Sequence, residues 1–469
     1  MKLPQVLSRR LSRNVLLLVT DSAVTNVASF AILIIITRCY GDQGAEVVGR
    51  MSLLLAIMAV GVLLGDLGAG QASTLWISQR RAGLIEAPLG RTVASGLLHA
   101  VVGGLLAGTA VVLLIGAIET AAGKLGLAAK AREIGDLRHL MPLVAVWVFV
   151  AVIMQQASGI FAGFQKMQYT LVQNASTHVP RLVICLGAAM VAWPWQRIVW
   201  GWTAWYLVVL GLTVALIVLV VRRSGEHLSL IGYRPLPRLR AGAVLFTPLA
   251  ASFILQYLAL AILWAMASEG QGYDSVGYFA PLWSLTRGYE VLLWPLAVAL
   301  LPAVSDARGA NTPEVFEGLV RRALMATGLV AAAVLLLFMV APQILLAIFG
   351  AQYAGFVLPL MVLAFGVAFE AQRCALDPIL NGSGLARWVT VIEWAKFALL
   401  FVLAVLLYPS HYLTGVALAF LGAFLPAWVA KVALIRFRLK VHVLWSAAMM
   451  ALLLAAVFAA GLVLRYVRW

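Results

Sequence analysis

Thirteen windows of about twenty apolar residues, the length that spans a bilayer core, fill most of this 469-residue chain. They fall at about 14–37, 51–75, 92–116, 141–163, 169–192 and 198–221, then at 243–267, 276–303, 322–341, 354–378, 388–408 and 413–435, with one more at 444–464. In hydrocarbon every backbone N–H and C=O must be satisfied within the protein, so a succession of such windows folds as a bundle of membrane helices. A mean hydropathy of +1.00 fits that class. So does a charged fraction of 11%, against about a quarter in soluble domains.

The loops leave no room for a separate soluble domain, and no GxxxxGK[ST] loop is present to hold ATP. The net charge of +16 is scattered as loop clusters between apolar windows, which argues for membrane topology and against nucleic acid. Cys39, Cys185 and Cys374 lie far apart, with no CxxC or Cys/His spacing, so neither a disulfide framework nor a zinc site is indicated. Lys2, Arg9, Arg10 and Arg13 precede the first window as in a secretory signal. That window is too long, however, and no small-residue cleavage site follows, so an uncleaved first helix is expected.

With the N-terminus placed in the cytoplasm, the inside segments hold 20 Lys and Arg and the outside ones nine, as the positive-inside rule requires. The six windows before the basic stretch Arg222 to Arg240 echo the six after it. Gly49 with Met51 to Leu55 opens the second window, and Gly277-Tyr278 opens the eighth about 228 positions later. Ala162-Gly163-Phe164-Gln165-Lys166 closes the fourth, and Asn381-Gly382-Ser383-Gly384 the tenth. The expected fold is therefore all-α: two six-helix lobes related by an internal repeat around a central cavity, plus one extra C-terminal helix. The divisions are 1–221 for the N-lobe, 222–242 for a basic cytoplasmic linker, 243–435 for the C-lobe and 436–469 for the extra span. Repeats of this kind place the substrate path at their interface.

Four cations, Arg181, Arg287, Arg373 and Lys396, lie deep inside windows. A charge at membrane depth costs at least about 2.5 to 3.5 kcal/mol on insertion scales, so four of one sign point to a polar cavity and an anionic cargo. The alternative is pairing along the helix. Arg287 and Glu290 are three apart, as are Glu393 and Lys396, and Glu370, Arg373 and Asp377 share one helical face. Arg181 has no acidic residue within a turn, so its partner must come from another helix or from substrate.

Ordered glycine-rich motifs carry a resemblance. Thr37-Arg38-Cys39-Tyr40-Gly41, then Gly49 and Ser52, then Asp66-Leu67-Gly68 resemble the "TR-x-x-G... G-x-x-S... DLG" run of bacterial polysaccharide-export type oligosaccharide flippases. These belong to the superfamily that also holds multidrug/toxin extrusion carriers and lipid II flippases. Gly163-Phe164-Gln165-Lys166-Met167, Gly277-Tyr278 with Leu301-Pro302, and Phe349-Gly350-Ala351-Gln352-Tyr353 extend the match over about 14–435.

The resemblance implies alternating access by two lobes in the bacterial cytoplasmic membrane. It also implies a polyprenyl-diphosphate-linked oligosaccharide as cargo, carried to the outer leaflet for surface polysaccharide synthesis. The expected partners are that lipid-linked glycan and membrane lipid, with no nucleic acid. A polysaccharide polymerase or glycosyltransferase is a candidate protein partner, and the chain is expected to act as a monomer without cofactor.

Guanidinium groups stay ionised and offer planar, bidentate donors to phosphate. Arg181 and Arg287, one in each lobe, are thus the first candidates to bind the diphosphate, followed by Arg373, Lys396 and Arg38. Arg38 is near a span end, where it can also snorkel to the interface. Asp21, Asp377 and Glu393 are candidates for Na+ or H+ coupling, because a carboxylate inside a span can hold either ion. Asp66 is expected to cap the helix that follows it. Gln155, Gln156, Asn174 and Gln256 suit either sugar hydroxyls or interhelical bonds. Trp147, Tyr257, Trp264, Trp283 and Tyr289 suit either glycan stacking or interfacial belts.

A multidrug extruder of the same fold would show an apolar or acidic cavity, and a lipid II flippase would share the diphosphate. An enzyme acting on the same lipid needs paired carboxylates or a metal constellation. The longest outside connection, about 117–140, holds Glu119, Glu133, Asp136 and His139 without forming one.

Overall fold

The computed structural model describes residues 5–81, 89–225, 259–268, 271–289 and 313–467, with isolated positions and pairs between 227 and 304. Among the described residues every regular element is a helix. The chain packs as two compact units, 1–250 with 267–276 and 251–266 with 277–469. Nine helices among the described residues are long and apolar enough to cross a membrane, and one of them, Ala386–Arg438, runs for 53 residues. The protein is a multi-pass membrane protein. The basic linker beyond Gly225, Gln256, Glu290 and Leu301-Pro302 lie outside the described residues.

In the first unit α1 is Gln5–Cys39, α2 Gly44–Asp66, α3 Ala69–Arg81 and α4 Leu89–Lys124. They are followed by α5 Ala128–Arg138, α6 Met141–Gly163, α7 Met167–Met190 and α8 Trp195–Arg223. The window read as one span at 51–75 is broken in the structure. Leu67 and Gly68 take positive φ, 42° and 78°. The Asp66 carboxylate turns onto the freed backbone, accepting from Gly68 N at 3.2 Å and Gly70 N at 3.1 Å. These are donors that a helix start leaves without intrahelical partners. The DLG motif thus ends one helix and caps the next.

Small residues let helices cross closely, the membrane counterpart of apolar packing. A Cβ on Gly159 of α6 would run into the Gly70 carbonyl of α3, and one on Gly103 of α4 into the Gly65 carbonyl of α2. The connection at about 117–140, expected on the outside, contains the short helix α5. It buries Glu133, Ile134 and Leu137. The Tyr273 hydroxyl donates to the Glu133 carbonyl. Arg50 lies 2.6 Å from Glu46 and stacks over the Tyr273 ring at 4.9 Å.

In the second unit the tenth window starts in a 3-10 turn, Ala351–Phe356, and continues as two helices, Val357–Ala371 and Arg373–Gly382. The junction residue Gln372 accepts a hydrogen bond from Trp428 Nε1 at 3.1 Å. Windows eleven and twelve are joined through a bend at Tyr412 (φ 49°, ψ −131°), three residues after Pro409. The helix Leu444–Val467 packs within this unit, with Phe458 stacked on Phe365 at 4.4 Å.

Candidate functional site

The polar face of α7 organises the first unit. Pro180 interrupts this helix, and its missing N–H leaves the Ser176 carbonyl without an intrahelical donor. The indole of Trp205 on α8 fills the gap, donating from Nε1 to Ser176 O at 2.6 Å. A second α8 indole, Trp202, donates to the carbonyl of Arg181 at 3.3 Å. Two tryptophans thereby hold α7 on either side of its proline.

Arg181 is only 7% exposed. Its guanidinium carbon sits 3.9 Å from the Trp202 ring centroid and 5.9 Å from that of Tyr206. Trp147 of α6 backs both rings, at 6.0 Å and 5.9 Å, and is fixed by donating to Thr203 Oγ1 at 2.8 Å. Cation–π contact holds a desolvated guanidinium flat on its platform. Among the described residues no carboxylate forms an ion pair with Arg181, and its buried Nε has no hydrogen-bond partner.

Seven residues earlier on α7, about 10 Å along the axis, Asn174 donates to Asp21 Oδ2 of α1 at 2.9 Å. Among the described residues the other Asp21 oxygen is buried without a partner, as is Nδ1 of His178. Asn174, His178 and Arg181 follow the four-then-three spacing of one helical face. Asn26, above Asp21, bonds back to Ser22 O at 2.7 Å. Gln156 donates to Ser73 Oγ at 2.6 Å, joining α6 to α3. Arg38 is exposed in the last turn of α1. It stands where a cation also complements the carboxyl end of a helix.

The second unit treats its buried charges differently. Lys396 Nζ lies 2.6 Å from Glu393 Oε2 and 2.8 Å from Glu370 Oε1. Lys431 Nζ lies 2.7 Å from the other Glu393 oxygen and 2.6 Å from Asp377 Oδ1. Arg373 Nε is 3.5 Å from Glu370 Oε1. The side chains of Lys396, Lys431 and Glu393 are 0%, 3% and 1% exposed.

Of the two readings open for Arg373 and Lys396, cargo or carboxylate, the geometry displays carboxylate partners. Asp377 and Glu393, expected to serve a diffusible ion, each hold an ammonium. Lys431 is the member that sequence spacing misses, being 38 positions from Glu393. Arg287 is half-buried just beyond the helix Gly272–Thr286. Tyr289 is buried, donating to Ala364 O at 3.3 Å, rather than lying in an interfacial belt.

Three kinds of comparison complete the picture. A family model described as polysaccharide biosynthesis protein matches residues 11–308. No curated protein matches the chain. Among solved structures, an inward-facing multidrug resistance MATE family transporter of the MOP superfamily aligns at 16% identity with a TM-score of 0.73, covering 89% of this chain and 94% of its own. An outward-facing transporter of the same description aligns at 16% identity and 0.63, covering 92% and 95%. A MOP superfamily transporter from Pyrococcus furiosus, whose reverse polarity of binding pocket is said to suggest a different function, aligns at 15% identity and 0.62, covering 95% and 96%. At these identities the likeness is one of fold.

Proposed function

Because this chain belongs to the polysaccharide biosynthesis protein family and has the fold of MOP-superfamily transporters, we propose that it is a flippase. Its cargo is a polyprenyl-diphosphate-linked oligosaccharide, moved by alternating access from the cytoplasmic to the outer leaflet of a bacterial cytoplasmic membrane. The observation that carries this reading is Arg181, a buried guanidinium on an aromatic platform without a carboxylate partner among the described residues. A diphosphate moved into hydrocarbon must exchange its water for donors supplied by the protein. A flat, pre-oriented guanidinium supplies two of them at once.

A multidrug extruder handling amphipathic cations gains nothing from such a group, which would repel its cargo. An Arg181 without a carboxylate partner among the described residues gives the present chain a polarity suited to an anion. Asp21, bonded on one side only, is the coupling carboxylate for Na+ or H+. The work is transport without covalent chemistry.

The direct test is to delete the gene and analyse lipid-linked intermediates. A polyprenyl-diphosphate glycan should accumulate on the cytoplasmic face. Unchanged lipid-linked glycans together with new sensitivity to cationic drugs would reverse the assignment.

A further inference from the structure

Six charged residues of the second unit form one ion network. Glu370, Asp377 and Glu393 contribute three negative charges, and Arg373, Lys396 and Lys431 three positive ones. The members come from three helical segments: Glu370 from Val357–Ala371, Arg373 and Asp377 from Arg373–Gly382, and the rest from both sides of the Tyr412 bend in Ala386–Arg438. Glu393 is the hub, one oxygen on each ammonium at 2.6 and 2.7 Å. Each lysine in turn lies between two carboxylates. Lys396 also rests near the face of Phe424, 5.4 Å from its centroid.

A pair of carboxylates buried in a membrane protein is the sort of site that takes a small monovalent cation. Here both such pairs are filled by cations attached to the backbone. We propose that Lys396 and Lys431 are tethered counter-cations, permanent occupants of these two carboxylate pairs, which therefore bind no exchangeable Na+ or K+. Two physical points support it. The carboxylates already have charge-assisted partners at strong hydrogen-bond distance. A further cation would have to lose its water beside two ammonium groups at the centre of the network, where Lys396, Lys431 and Glu393 are almost fully desolvated, which is costly. The inference holds whatever the cargo.

The same logic makes Lys431→Ala informative, since it exposes Asp377 and Glu393 as a vacant site with one excess negative charge. The test measures thermal unfolding of the purified full-length protein in detergent, in NaCl, KCl, propylammonium chloride or N-methylglucamine chloride at equal ionic strength. With Asp21→Asn removing the candidate coupling site of the first unit, the otherwise native protein should unfold at one temperature in all four salts. Lys431→Ala should unfold about 5 °C or more lower. It should recover in the small cations but not in N-methylglucamine.

Should that variant fail to fold, the charge-neutral pair Glu393→Gln with Lys431→Met should remain as indifferent to cation in the same Asp21→Asn background. A saturable Na+ or K+ stabilisation of the native protein, abolished by Glu393→Gln, would overturn the proposal. So would Lys431→Ala unfolding at the native temperature, or falling without recovery in any small cation.

Discussion

Replacing Arg181 and replacing Lys396 by alanine should have opposite consequences, although both remove a buried cation. Removing Arg181 forfeits its stacking on Trp202 (3.9 Å), about 0.5 to 2 kcal/mol for such contacts. It also removes a desolvated group whose Nε is unsatisfied, a penalty of about 1 to 3 kcal/mol. The two nearly cancel, so stability should stay within about 1 kcal/mol of native.

Cargo binding loses at least one charge-assisted hydrogen bond, about 1.5 to 3 kcal/mol, or about ten- to a hundredfold in affinity. Removing Lys396 instead strips the shared ammonium from Glu370 and Glu393, and breaking a buried pair from one side costs about 3 to 5 kcal/mol. Both variants are compared by thermal unfolding in detergent and by export of surface polysaccharide in a strain lacking its own flippase. Arg181→Ala should be stable and inactive, and Lys396→Ala unstable. Full export by Arg181→Ala, or equal destabilisation of the two, would refute the distinction between a free and a structural cation.

Other consequences are equally concrete. Trp205→Phe should destabilise the protein by about 1 to 2 kcal/mol by stranding the Ser176 carbonyl. It should cost little in a Pro180→Ala background, where the restored N–H takes that carbonyl, and equal costs in both backgrounds would contradict the account of the proline. Burial, with Glu46 and Glu133 adding to it, raises Asp274 above its ordinary value of 3.8. The folded state thus binds the proton more tightly, and stability falls as pH rises from that value to the raised one. Asp274→Asn should accordingly raise the unfolding temperature at neutral pH and lose this advantage below about pH 4; a pH-independent difference would count against it. Asp21→Asn should remove the dependence of transport on a Na+ or H+ gradient, and intact gradient dependence would clear Asp21 of that role.

What the sequence reveals depends on how far a residue's partners lie from it. Windows of apolar residues are read directly because hydrocarbon imposes their length, and α6, α7 and α8 follow theirs closely, whereas the window at 51–75 breaks at Leu67-Gly68. The Asp66 cap is legible because its acceptors and donors lie within four residues. Pairing of Arg373 with Glu370 and of Lys396 with Glu393 is legible as an option because helical spacing brings them together.

Nothing local announces Lys431, whose partners are Asp377 on another helical segment and Glu393 across the Tyr412 bend, so the network is visible only in three dimensions. The lack of a nearby acid marks Arg181 in the sequence, but its platform of Trp202 and Tyr206 comes from the next helix. The short helix α5 escapes because its apolar positions are too few to stand out against flanking membrane spans.

On this reading Arg181 shelters a phosphate-bearing headgroup during its crossing. The most direct measurement is made on the purified protein reconstituted in liposomes containing a polyprenyl-diphosphate-linked oligosaccharide, following the rate at which the glycan becomes accessible to an enzyme added outside. The native protein should expose the inner-leaflet glycan well above the rate of empty liposomes, and Arg181→Ala should fall to that background. Native and Arg181→Ala proteins exposing the glycan equally fast, or neither exceeding empty liposomes while a cationic dye is carried, would contradict it.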